Sequence, residues 1–212
     1  MIVSLNEIES LTLKACRGAG MSWGLAEEAA QAARWMASQG IAWDRSLLAL
    51  LSRHTETRPP ICDGQTMVSS QAEAPLCPIH AGTAFADLAH TGEVWTLRDV
   101  LQPVWLVPLI HRRAQRDGAL LNLSTPDGTL LLDGNGIGSI VHRLTPVDRI
   151  SSIHIELRRR DQRPQVPMPS LAEPCADDDI WNGLERYAAL TYVPASVQSR
   201  ISGAGAGTSD ND

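Results

Sequence analysis

Apolar positions along this 212-residue chain follow two different periods. The first quarter repeats them at helical spacing. Leu5, Ile8, Leu11 and Ala15 form one stripe. Ser4-Leu5-Asn6-Glu7 opens it with serine and glutamate spaced for reciprocal capping, and Gly18-Ala19-Gly20 closes it. A second helix is predicted from Ser22, as its cap, to Gln39, with Leu25, Ala29, Ala32, Ala33 and Met36 inward and Gly40 as the stop. A third, Asp44 to Arg53, carries Leu47, Leu48, Leu50 and Leu51.

The pattern then breaks. Residues 55–82, with Pro59, Pro60, Pro75 and Pro78, read as one long irregular segment, followed by a short helix over Phe85–His90. From there the period shortens. Val104–Ile110 is a compact apolar run, expected as a strand, whose Pro108 suggests an edge or a bulge. Ala119–Ser124 and Thr129–Asp133 flank Thr125-Pro126-Asp127-Gly128, which predicts a hairpin. Ile153, Ile155 and Leu157 alternate with polar residues, as in a half-buried antiparallel strand. After a proline-rich linker over 161–178, Asp177–Asp179 start a last helix with Ile180, Leu184, Tyr187 and Ala188 inward, and Pro194 stops it. Helices, then antiparallel strands, then a helix predict an α+β fold. One domain is expected over 1–212: a helical unit at 1–54, an antiparallel sheet at 100–160, and a C-terminal helix with an ordered tail at 178–212.

Composition narrows the setting. At 43% hydrophobic residues the chain can bury a core. With one phenylalanine and two tyrosines against six tryptophans, that core must be largely aliphatic. A net charge of −6 argues against a general nucleic-acid binder, despite the run Arg158-Arg159-Arg160. Nothing resembles a signal peptide or the apolar length of a membrane span. Cys16, Cys62, Cys77 and Cys175 do not make a disulfide framework, so a cytoplasmic protein with free thiols is expected.

Four stretches carry candidate chemistry. Cys77-Pro78-Ile79-His80, with His54 and Cys62 upstream, offers thiolate and imidazole for zinc, or a cysteine nucleophile with a histidine base. Leu130–Ser139 holds Gly134, Gly136 and Gly138, but the third glycine of a dinucleotide fingerprint is misplaced and no helix follows, so a glycine turn between strands is expected. Glu27 and Glu28 sit where acids oppose a helix dipole. The C-terminal run Thr191–Asp212 is the fourth stretch. Ser196 and Arg200 precede Gly203, Gly205 and Gly207, whose backbone freedom permits an anion-binding nest beside an arginine clamp.

"SLNEIESLTLKACRGAGMSWGLAEEAAQAARWM", "CPIHAGTAFAD" and "TYVPASVQSRISGAGAGTSDND" resemble a family of small bacterial proteins catalogued as a domain of unknown function. The resemblance implies that the C-terminal run is a shared feature of that family and brings no activity with it. Residues 4–60 also resemble the opening of the malate/L-lactate dehydrogenase family that binds NAD(P) without a Rossmann fold. That family's Asp-Ser-His-Gly stretch corresponds here to Trp43-Asp44-Arg45-Ser46-Leu47, where the catalytic histidine is missing. The likeness implies shared helical packing.

The expectation is a small-molecule-binding protein or metabolic enzyme acting on an anionic metabolite. Its ligand site is expected at Ser196, Arg200, Gly203, Gly205 and Gly207 with Arg17 and Trp23, and its reactive residue at Cys77. No pattern identifies a cofactor, no metal is assigned, and neither nucleic acid nor membrane is an expected partner. The rival is a non-catalytic accessory or assembly protein, a homodimer for instance, whose tail packs on a partner subunit.

Overall fold

A computed structural model describes residues 1–90, 92–126, 128–132, 147–158 and 174–192. The N-terminal helices form as the periodicity requires. Helix α1 (Leu5–Gly18) starts at Ser4, whose hydroxyl accepts from the Glu7 N–H at 3.2 Å while the Glu7 carboxylate accepts from the Ser4 N–H at 2.7 Å. Helix α2 (Trp23–Ser38) turns Ala26, Ala29, Ala33 and Met36 inward, although its cap residue Ser22 makes no side-chain bond. Gly40 follows with φ +68°, a left-handed turn that glycine adopts without penalty. Helix α3 spans Asp44–Ser52 and is followed by a 3-10 turn, His54–Glu56.

The expected irregular stretch is partly ordered. Strands β1 (Pro60–Asp63) and β2 (Thr66–Ser69) pair antiparallel about Gly64, and helix α4 (Pro78–Leu88) begins seven residues earlier than the Phe85–His90 helix expected there. An Asp-Gly turn signal lay in the proline-rich run, but strands this short and exposed show little alternation. Pro78 takes the first helical position, where its missing N–H costs nothing.

Strand β3 (Val94–Leu101) was not foreseen, and the predicted strand at Val104–Ile110 is corrected. That run forms a 3-10 turn, Pro103–Trp105, and the start of helix α5 (Leu106–Asp117). Leu106, Val107, Leu109 and Ile110 are all buried, so no polar side survives to reveal a helical period. Pro108 falls in the first turn, where an N–H would have had no intrahelical acceptor.

Strands β4 (Leu120–Thr125) and β5 (Gly128–Leu132) make the expected hairpin, and β6 (Arg149–Arg158) the expected alternating strand. The six strands lie in the order β1-β2-β3-β6-β4-β5, antiparallel except for β2 against β3. The fold is α+β. Helices α4 and α5 contact the sheet, α2 packs outside them, and α1 joins α2 to the last helix, α6 (Asp178–Ala189). On the sheet, Trp95, Leu97, Ile153, Ile155 and Leu157 are buried, while His154 on the other face is exposed, as expected. Phe85 meets Trp95 edge-on, ring centres 6.1 Å apart, and joins α4 to β3. Among the described residues no helix is long and apolar enough to cross a membrane. All four cysteines are free.

Candidate functional site

Helices α1 and α6 come together because each carries an apolar stripe and because Gly18 permits close contact. A Cβ at Gly18 would stand 1.8 Å from the Tyr187 carbonyl oxygen. At their other ends the N-terminal ammonium bonds Asp178 at 2.9 Å, and Asp177 caps α6 through the N–H groups of Asp179 and Ile180. The two helices therefore run in the same direction.

Beside this contact lies a cleft of about 400 Å³, within the size range of small-molecule sites. On α1 it is lined by Glu7, Ser10, Leu11 and Lys14, spaced by three and four so that they share one face. Trp181, Glu185 and Ala188 do the same from α6, and Tyr192 just beyond it completes the wall. Trp43, at the start of α3, stands edge-on to Trp181, ring centres 6.4 Å apart, and supports it from behind.

The polar groups in the cleft differ in how far they are engaged. One Glu7 oxygen accepts from the Ser4 N–H, and that bond with the Ser4 hydroxyl holds its carboxyl below the ordinary value. One Glu185 oxygen accepts from the Trp181 indole at 3.1 Å. Among the described residues Lys14 has no hydrogen-bond or ion-pair partner. It is also the single lysine of the chain, against seventeen arginines. No motif in the sequence marks it. The available signals were that singularity and a charged residue lying directly beside an apolar stripe.

Three of the expected site residues, Arg17, Trp23 and Cys77, lie among the described residues. Arg17 lies one turn after Lys14 on α1. Its guanidinium sits 5.5 Å from the Trp23 ring centre and donates to the Met21 carbonyl. Trp23 donates to Glu27 at 2.6 Å. The Arg17 contacts cross the α1–α2 turn, and the Trp23–Glu27 bond lies within α2. Ser196, Arg200, Gly203, Gly205 and Gly207 lie outside the described residues, as do Gly134, Gly136 and Gly138.

Cys77 is the buried cap residue of α4, away from the α1–α6 cleft. Burial pushes its thiol up, and the amides of His80 and Ile79 with the Thr57 hydroxyl pull it only partly back. The thiol is therefore protonated at neutral pH in this arrangement. Burial pushes the Cys16 thiol up as well, and Cys16 lies close enough to Cys77 that a thiolate there would push it further. His54 and His80 lie near the same helix start. Burial lowers both, and His80 lowers His54 further, so both imidazoles are neutral at pH 7. The buried Nδ1 of His54 has no hydrogen-bond partner among the described residues. Cys62 is exposed on the edge strand, and among the described residues no three His, Cys, Asp or Glu side chains are placed to hold a metal.

Residues 3–89 match a family described as a protein of unknown function (DUF3726). No curated protein matches the chain. Among solved structures, malate dehydrogenase from Entamoeba histolytica is similar at 12% identity and a TM-score of 0.42. The match covers 62% of this chain and 43% of that one, so the chain spans less than half of its length.

Proposed function

We propose that the chain is a small-molecule-binding protein of bacterial, cytoplasmic type, and that an anionic, hydroxylated metabolite occupies the α1–α6 cleft. The observation that carries this reading is Lys14: an ammonium with no partner among the described residues, in a cleft of about 400 Å³ whose two carboxylates already accept hydrogen bonds. The anionic group meets Lys14. Hydroxyl groups donate to the remaining lone pairs of Glu7 and Glu185, and Trp181 and Tyr192 cover the carbon skeleton.

The single lysine makes the test direct. Acetylation of Lys14 is followed by mass spectrometry in the presence of a panel of hydroxy-acids and sugar phosphates, with calorimetry on Lys14→Ala. A ligand that protects Lys14 and loses at least about tenfold in affinity on Lys14→Ala supports the reading. Protection by none of the panel overturns it.

One observation favours a second reading. Trp23, Leu190 and Tyr192 are 60%, 70% and 63% exposed. Leu190 and Trp23 both neighbour the C-terminal turn of α1, Leu190 beside Gly18 and Trp23 over Arg17. Such a patch suits a partner subunit. Light scattering on Leu190→Asp separates the readings: conversion of a dimer to a monomer with ligand protection of Lys14 unchanged assigns the patch to assembly.

A further inference from the structure

We propose that a second cleft, between the start of α3, the corner joining β3 to α5, and the entry to β6, binds a small zwitterion of the amino-acid type. This inference is independent of the α1–α6 site. The cleft measures about 190 Å³, room for roughly six waters at about 30 Å³ each. That space suits an amino acid with a short side chain and excludes a nucleotide.

The walls are rigid and mostly satisfied. Ser46 is buried. Its hydroxyl donates to the Trp43 carbonyl at 3.0 Å and accepts from the Trp105 indole at 3.0 Å. Asp44 accepts the Arg45 N–H at 2.8 Å on one oxygen and the Asp177 N–H at 2.9 Å on the other. These two side chains build the site and have little left to offer a ligand. Ala42 and Ala49 leave small apolar surfaces between them.

Three groups remain open, and their arrangement defines the ligand. Gln102 is 3% exposed, yet only its amide nitrogen is engaged, donating to Asp148 Oδ1 at 2.7 Å. Its Oε1 and the second Asp148 oxygen have no donor among the described residues. Both belong to side chains that line the cleft and are tied to each other, and two such acceptors suit an ammonium. The Arg45 side chain is 77% exposed, with only a loose 3.9 Å approach to Asp177, and stands ready for a carboxylate. Gln102 has the left-handed backbone angles φ +44° and ψ +61°, and it is held there by the Asp148 carbonyl, which accepts its N–H at 2.6 Å. The acceptor pair is thus fixed before any ligand arrives, which lowers the entropic cost of binding.

The test uses calorimetry and thermal shift on the full chain. Glycine, L-alanine, L-serine and L-aspartate serve as probes, with N-acetylglycine and ethanolamine as analogues lacking the ammonium or the carboxylate. Saturable binding of at least one amino acid is expected. Its affinity should fall at least about tenfold on removing either charged group from the ligand, and likewise in Asp148→Asn or Arg45→Ala. Asparagine keeps the acceptor for Gln102, and a melting profile checks that both variants fold. Lys14→Ala should leave this binding unchanged and so separates it from the α1–α6 site. The proposal is overturned if no amino acid binds, if the analogues bind as well as the parent, or if binding survives both substitutions.

Discussion

Gln102 and Asp148 are tied twice, side chain to side chain at 2.7 Å and backbone to backbone at 2.6 Å. The next residue along, Arg149, grips Asp99 with a second contact at 2.6 Å. Asp99 and Gln102 are both non-glycine residues with positive φ. Two consecutive residues at the start of β6 therefore hold the two left-handed residues at the end of β3. Left-handed backbone costs about 1–3 kcal/mol per residue when it is not glycine, so the neighbours must over-determine it.

Gln102→Ala keeps the unfavourable backbone and loses the bond to Asp148. It should cost about 1–3 kcal/mol in urea unfolding. Gln102→Gly loses the same bond but relieves the backbone, and should cost less. A glycine variant no more stable than the alanine one would show that the corner is not strained.

Gly18 sets the distance between α1 and α6. Gly18→Ala would force its Cβ into the Tyr187 carbonyl, a backbone atom that cannot rotate away. The expected loss is about 1–3 kcal/mol or more. Because the helices must separate, ligand protection of Lys14 should fall in the same variant. Unchanged stability would mean that the contact is looser than described.

Ser46→Ala leaves the buried Trp105 indole N–H without its acceptor. The penalty of an unsatisfied buried donor is about 1–3 kcal/mol. Thermal unfolding measures it, and Ser46→Thr, which retains the hydroxyl, should recover part of the loss.

Stability should also depend on pH through His54 and His80. Both are lowered from the ordinary 6.5 by burial, so the folded chain binds fewer protons than the unfolded chain. Their effect is constant above about pH 6.5 and turns destabilising as pH falls below it, towards the folded values. Melting temperature should decline over that acid window, and the double variant His54→Asn, His80→Asn should flatten the decline. An equally steep profile in the variant would assign the pH dependence to other groups.

Most of what was legible in the sequence is local. The Ser4 capping box, the alanine face of α2, the Asp177 cap and the turn between β4 and β5 each follow from residues within a few positions of one another. The errors fall where local pattern carries no information. Leu106–Ile110 is apolar on every side because it is buried on every side, so helix and strand look alike. Strand β3 alternates only over Trp95 and Leu97 before the left-handed Asp99 breaks its period.

Periodicity and capping act within one element, and they suffice for the α+β class and the core-facing stripes of α1, α2, α3 and α6. The sequence also made Lys14 the only lysine, without showing why that matters. Tertiary structure alone decided that α6 lies beside α1, that Lys14 faces Trp181 across a cleft, and that Asp148 meets Gln102. These neighbours stand tens to well over a hundred residues apart in the chain. They are brought together by the burial of separate apolar faces against one another, and no spacing within one segment encodes such a pairing.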